Sequence, residues 1–389
     1  MGFKGSYEFK GERGECRLTL DEQGLSLLPA KGSALYFGLR DIIELSGAGY
    51  RVSLVMFSGE KLALDQLGHD YEDFLRSLAK QRNELIIQDL LIKEKIRLGD
   101  VKADLAGVPC ELRLYETALV IMPDKAELIR VPLADIIANS QADYRLTVKT
   151  ASQQYVFALM GSWLEPFSRE LQTALAELSL RAQALLKALS PGLSTETTLK
   201  LAEYFREGRA AAKSDVEKLA PGLWSVLEQR LTAAVDKGDI KYLFSLADRE
   251  KVLFGLKRGL GGGGEADYLW ALIPLPKQRA VALEAVSLAP EEGEAEGRAT
   301  YFFRLTGTDD LPQFNRALCE INFRREPVYL PAEKLEEPQY QRYKFSVARL
   351  PGLKLLRERF LGRAIHSDAE QWKNSVVELL QIETKKEGS

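Results

Sequence analysis

Nucleophilic and acid–base chemistry has few carriers in this chain: two histidines, His69 and His366, and three cysteines, Cys16, Cys110 and Cys319. A histidine-based site needs a second group to hold the imidazole. Neither histidine falls in a Ser/Asp or Cys partner pattern; each stands beside a predicted helix start and reads as a surface residue. A catalytic thiol needs an exposed, electropositive setting. Cys16 and Cys110 instead lie on alternating Cys-x-Leu-x-Leu runs, and Cys319 lies beside the stripe Phe314, Leu318, Ile321. Those are settings for small core hydrophobes. The cysteines are far apart and form no C-x-x-C, so neither a zinc site nor a disulfide framework is expected. The loop Gly259-Leu-Gly-Gly-Gly-Gly264 lacks the Gly-Lys-Ser/Thr ending of a phosphate loop and runs into Glu265-Ala-Asp267, as a hinge or hairpin tip would. The acidic run Glu291 to Glu296 shows no EF-hand or two-metal spacing and reads as a solvated loop. The basic run Lys251 to Arg258, preceded by Arg249 and Glu250, reads as a solvated face. These patterns predict no catalytic, cofactor-binding or metal-binding residue.

The strongest signal is a duplication. Cys16 to Arg51 aligns without a gap on Cys110 to Arg145, 36 residues at an offset of 94, with fifteen identities that include Cys16/Cys110, Leu18/Leu112, Leu20/Leu114, Pro29/Pro123, Asp41/Asp135 and Ile43/Ile137. The match then shifts by one residue and resumes where Phe74 and Leu78 meet Phe167 and Leu171. A repeat this long is a duplicated domain, not a solenoid unit. Residues 5–82 read as short strands (Cys16–Leu20, Leu25–Leu28, Leu35–Phe37, Asp41–Leu45, Val52–Phe57, Leu62–Asp65) followed by a helix from about Asp70, with Tyr71, Phe74, Leu75 and Leu78 on one face. Residues 102–180 repeat that order, with Pro166 near the helix start. The apolar residues of 83–101, Leu91 and Ile92 among them, are too many for a free linker.

Residues 178–236 read as helical, with a stop at Ser190-Pro-Gly192, a helix over Thr195–Glu207, another from Ser214, and an apolar side formed by Trp224, Leu227, Leu231 and Val235. In the remainder, Tyr301, Phe303, Leu305 and Gly307 echo Tyr155, Phe157, Leu159 and Gly161, and Phe314, Arg316 and Leu318 echo Phe167, Arg169 and Leu171. Tyr268–Leu275 and Ala280–Leu288 read as strands and Tyr343–Val347 as strand-like. A final helix with Trp372, Val376, Leu379 and Leu380 inward opens on the capping box Ser367 to Glu370, and the tail Lys385 to Ser389 is expected to fray. Length predicts about two to three domains. The net charge of −3 provides no basic field for nucleic acid. No signal-like N-terminus and no run of about 18 apolar residues occurs, so a cytoplasmic protein is expected.

The series LTLDEQGLSLLP, LRDIIEL and YRVSLVMFSGEKLAL, with its second version around Pro132-Leu-Ala-Asp-Ile-Ile137, resembles a bacterial tandem pleckstrin-homology-like (PH-like) protein. The resemblance implies α+β architecture: tandem PH-like bent β-barrels, each capped by a C-terminal helix, a helical bridge, and a diverged third α+β domain that echoes the same unit. The corresponding segments are 1–98, 99–180, 181–237 and 238–389. Such folds host lipid-, peptide- and protein-binding modules. Lipid-binding members hold phosphates with cations around the first strand pair, which here leaves Arg17, Lys31 and Arg40, beside the acids Asp21, Glu22 and Glu116. The expected function is therefore a non-enzymatic scaffold that binds a protein or peptide along an exposed sheet edge beside the terminal helix, without cofactor and without nucleic acid. A peripheral sensor of anionic lipid and an enzyme housed in 238–389 are the alternatives. Because a carboxylate near a phosphate is repulsive, no saturable binding to anionic liposomes is expected at physiological salt. Headgroup-selective flotation that disappears in Lys31→Glu or Arg40→Glu would overturn this.

Overall fold

The computed structural model describes residues 2–90, 94–234, 239–259, 266–288, 299–307, 310–366 and 368–386. Residues 260–264 of the glycine-rich loop, the acidic run 291–296, Leu91, Ile92, Val235, Ser367 and the last three residues lie outside them. The chain opens with seven strands, β1 (Gly2–Phe9), β2 (Glu12–Leu20), β3 (Gly24–Pro29), β4 (Leu35–Gly38), β5 (Ile42–Ala48), β6 (Arg51–Met56) and β7 (Lys61–Asp65), then helix α1 (Tyr71–Leu90). Seven more follow, β8 (Ile96–Leu105), β9 (Val108–Tyr115), β10 (Ala118–Pro123), β11 (Ile129–Pro132), β12 (Ile136–Ala142), β13 (Arg145–Thr150) and β14 (Gln154–Ala158), then α2 (Leu164–Leu189). Next come α3 (Thr195–Tyr204), β15 (Ala210–Ala212), α4 (Lys213–Leu219), α5 (Leu223–Ala234), α6 (Asp239–Leu246), β16 (Leu253–Arg258), β17 (Asp267–Leu275), β18 (Ala280–Ser287) and β19 (Ala299–Arg304). The chain closes with α7 (Asp310–Glu320), α8 (Glu326–Tyr329), α9 (Lys344–Arg349), α10 (Pro351–Arg359), β20 (Phe360–Ile365) and α11 (Ala369–Lys386). It divides into two compact units, Met1–Gln172 with Leu330–Leu350, and Thr173–Tyr329 with Pro351–Ser389.

In the first unit the duplication is structural. The two sheets have the orders β4-β3-β2-β1-β7-β6-β5 and β11-β10-β9-β8-β14-β13-β12, all antiparallel. Period-two alternation puts Leu18, Leu20, Leu112 and Leu114 inside. The first hairpin of each copy turns on two residues of positive φ, Lys10-Gly11 and Ala106-Gly107, the conformation that matches strand twist. The bent barrel of each copy is open, as a sheet capped by a helix can be. Each sheet ends in strands that do not pair with one another, β4 and β5 or β11 and β12. A 3₁₀ turn, Leu39–Asp41 or Leu133–Asp135, carries the chain between them. In the first copy α1 fills the open end: Phe74 and Leu78 are fully buried, and Phe74 meets Phe3 edge-on with centroids 5.1 Å apart.

The second half of α1 turns to the other copy and to the Leu330–Leu350 segment. Ile86, Ile87 and Leu90 pack with Tyr115, Val120, Met122 and Phe345. Asn83 donates to the Ala126 carbonyl at 2.9 Å and accepts from the Leu128 N–H at 3.1 Å. Arg82, 1% exposed, donates to the carbonyls of Ile42 and Ile43 at 2.9 and 3.0 Å, pairs with Glu127 at 3.4 Å and lies 4.7 Å from the Phe345 ring centroid. Tyr343 to Val347 is not a strand, and most of it lies in α9. Tyr343, Lys344, Phe345 and Ser346 are buried in succession, which a two-faced strand does not require. Lys344 bridges Asp41 and Glu336 at 2.9 and 2.7 Å.

In the second unit a six-stranded antiparallel sheet runs β15-β16-β17-β18-β19-β20. One core joins Leu186, Leu201, Phe205, Trp224 and Leu231 from the helices to Phe254, Ile273, Phe302 and Trp372. Strand β19 followed by α7 matches the expected echo, but β19 pairs with β20, from beyond the helix, whereas β7 and β14 pair with the first strands of their copies. The three-alanine strand β15 carries no β-propensity signal and was not expected. The basic run at 251–258 is not a solvated face throughout: Lys257 is buried against Glu207 at 2.5 Å, and Arg181 approaches the same carboxylate at 3.5 Å. The last helix is capped by Asp368, whose Oδ1 accepts from the Glu370 and Gln371 N–H groups. Replacing Arg82 by Leu strands the Ile42 and Ile43 carbonyls, so a loss of about 1–3 kcal/mol is expected in urea unfolding. An unchanged midpoint would mean that Arg82 is not the junction of these segments.

Candidate functional site

The two copies share sequence at their β5 and β12 edges but not surroundings. Both strands carry a bulge at the second isoleucine, between Ile42 and Glu44 and between Ile136 and Ala138. A bulge re-aims the side chain of the extra residue. In the first copy α9 lies against β5, with Lys344 on Asp41 and Arg349 on Glu44, and Ile43 is half-buried. In the second copy Ile137 is 53% exposed. Among the described residues no strand other than β13 pairs with β12, and no helix lies along it as α9 lies along β5. Its sequence, Ile-Ile-Ala-Asn-Ser-Gln-Ala, contains no charge and no proline, the devices that ordinarily blunt an edge. Asn139 sits 3.5 Å from the Gln172 amide on α2. At the hairpin tip Asp143 and Tyr144 both hold positive φ, 49° and 58°, and Tyr144 is 90% exposed. Its counterpart Tyr50, also exposed and at positive φ, has its ring beside Tyr71, centroids 5.3 Å apart. A large residue held at positive φ with its ring in solvent is uncommon. The arrangement offers a row of backbone donors and acceptors beside an exposed Ile and Tyr.

The cations expected around the first strand pair are not gathered into one site. Arg40 is committed to a bidentate pair, Nε and Nη2 donating to Asp89 at 3.0 and 3.1 Å. Lys31 is exposed in the turn after β3. Arg17 lines a cavity of 590 Å³ on the outer face of β1–β3, and neither Lys31 nor Arg40 is among its lining residues. Cys16, Cys110 and Cys319 are buried. Burial, with Asp104 and Asp124 adding repulsion, pushes the Cys110 thiol up to about 11. That is the direction opposite to an activated nucleophile.

His69 is exposed as expected, but His366 is not. Its Nε2 lies 3.2 Å from Glu284 Oε2 and 3.1 Å from Thr300 Oγ1. Thr300 donates its hydroxyl proton to Glu284 at 2.5 Å and accepts from Trp372 Nε1 at 3.1 Å. With that one proton spent, the imidazole must supply the proton on Nε2. The His366 ring stacks on Trp372 at 5.5 Å and 16°. Thr300 and Trp372 are fully buried, so the group fastens the start of α11 to β18 and β19. Its members are separated by up to 88 residues (284 to 372), and no local motif announces them.

No protein-family model matches the sequence, and no curated protein matches it. Among solved structures, one described as the Spt16D Pob3N heterodimer matches over 39% of this chain and 83% of its own, at 17% identity and a TM-score of 0.16. Likeness at that level bears on neither the fold nor the task of this chain. No described helix is long and apolar enough to cross a membrane.

Thr300→Val leaves the Trp372 N–H without its acceptor and takes from Glu284 Oε2 one of its two partners, His366 Nε2 remaining. A loss of about 1–3 kcal/mol in chemical unfolding is expected, and an unaffected variant would show that the latch does not hold α11.

Proposed function

We propose that this protein is a non-enzymatic protein-binding module whose second PH-like copy takes an extended peptide along β12. The observation that carries the reading is the open, uncharged, proline-free edge of β12, beside an outward Ile137, on a surface that the first copy covers with α9 of its own chain. A strand added to such an edge gains main-chain hydrogen bonds along its length, while pockets for alternate side chains set selectivity. Ile137 and Tyr144 are the apolar contacts available to those side chains. The partner is a protein segment rather than nucleic acid, since a net charge of −3 supplies no phosphate-binding field.

Lysines on an edge strand oppose the approach of another strand without disturbing the fold. In the full chain, Ile137→Lys with Ser140→Lys is expected to weaken binding of array-selected extended peptides by about tenfold or more, with unfolding free energy changed by no more than about 1 kcal/mol. Hydrogen exchange at the β12 amides should slow when the parent protein binds such a peptide. Peptide affinity that survives the double substitution would remove β12 from consideration.

A further inference from the structure

We propose that the outer face of the first sheet, at Lys4, Arg17 and Leu28, is a docking site for an acidic amphipathic helix of a partner protein. This inference is separate from the β12 reading and uses a different surface. The second copy supplies the precedent. There Lys102, Glu111 and Met122 form one cross-strand row, and Ala103, Cys110 and Pro123 form the next. The face that carries the first row is covered by α1. Met122 is only 6% exposed and packs with Ile86, Ile87 and Leu90. Arg76, Lys80 and Asn83 wall the 380 Å³ cavity left beside it, and Arg76 pairs with Asp124 at 3.4 Å.

The first copy repeats the two rows in the same register, Lys4–Arg17–Leu28 and Gly5–Cys16–Pro29; Cys16 and Pro29 are buried on the inner side, whereas Lys4, Arg17 and Leu28 face outward and nothing of the described chain covers them. Leu28, the counterpart of Met122, is 53% exposed. The equivalent cavity is 590 Å³.

The charge is inverted between the copies. Glu111 and Asp124, which face the basic side of α1, are replaced by Arg17 and Ala30. Lys4 stands beside Arg17, and among the described residues neither has an ion-pair partner; Glu15 is the single acid in the cavity wall. A face that is apolar at Leu28 and cationic beside it is complementary to a helix with the opposite charge from α1. The footprint is shorter than that of α1. At the far end of β3 the Tyr36 ring lies over Gly24, where any Cβ would strike it, so the face closes itself there. An anionic membrane is the competing source of negative charge. The exposed Leu28 and the helix on the sister face favour a helix.

The test uses the full-length chain and two synthetic, stapled helices that carry the outward face of α1 (Arg76, Lys80, Asn83, Ile86, Ile87), with its inner-face residues set to alanine. One keeps Arg76 and Lys80; the other has Arg76→Glu and Lys80→Glu. The recharged helix is expected to bind saturably, about tenfold or more tighter than the basic one, and to slow hydrogen exchange in β1–β3 near Lys4, Arg17 and Leu28 but not in β4. In the exposed variant Arg17→Glu the preference should reverse, while Ile137→Lys should leave it unchanged. No saturable binding of the recharged helix, or protection that maps elsewhere, overturns the proposal. So does capture by phosphatidylserine vesicles that is lost in Arg17→Glu when the recharged helix does not bind.

Discussion

Helix α1 has two apolar sides, and the first unit is built on that constraint. Its first turns place Tyr71, Phe74, Leu75 and Leu78 in the open end of the first sheet. Its last turns place Ile86, Ile87 and Leu90 on the outer face of the second. Between them the stripe passes through Arg82 and Asn83, both 1% exposed. A buried guanidinium is tolerable only when its donors are satisfied. Here backbone carbonyls of the β5 bulge, Glu127 and the face of Phe345 do so together. One side chain therefore ties the edge of one copy, a loop of the other and the Leu330–Leu350 segment into a single unit. Burial pushes the Arg82 pKa below its ordinary value, the Glu127 carboxylate acts against that and the Arg349 charge adds to it.

Duplication created more surfaces than the chain can cover. Each sheet presents an inner face, an outer face and two end strands. The first copy's inner face receives α1, its β5 edge receives α9, and the second copy's outer face receives the far side of α1. The first copy's outer face and the second copy's β12 edge are left over. Identical or equivalent residues consequently meet different fates: Ile43 is half-buried where Ile137 is exposed, and Leu28 is exposed where Met122 is buried. Part of the cause is local. The position that matches Arg82 in the second helix is Leu175, which carries no donor for a bulge carbonyl. Glu44 is matched by Ala138, so the second edge also lacks the acid that Arg349 binds in the first.

The second unit follows a different rule. Its helices and sheet share one continuous core, and its polar groups are buried in closed sets: Glu207 with Lys257 and Arg181, and Glu284 with Thr300, His366 and Trp372. Low dielectric strengthens such networks when every member is satisfied and penalises any that is left open. They specify how the elements pack.

Sequence alone determined the repeat, most strands of the two copies, the helix stripes Phe74/Leu78 and Phe167/Leu171, and the burial of Leu18, Leu20, Leu112 and Leu114. These rest on short-range causes, period-two and period-3.6 patterning and the identity of two aligned stretches. Only the tertiary structure decided that Tyr343 to Val347 belongs mainly to a helix, that Lys257 is buried, that His366 has partners, that the sheets stay open, and that β12 rather than β5 is bare. Each of these depends on residues far apart in the chain: Asp41 with Lys344, Glu207 with Lys257, Glu284 with His366. A charge or an imidazole is read as solvated when its neighbours in sequence offer no partner. Folding brings the partner from another element, where burial and pairing act together.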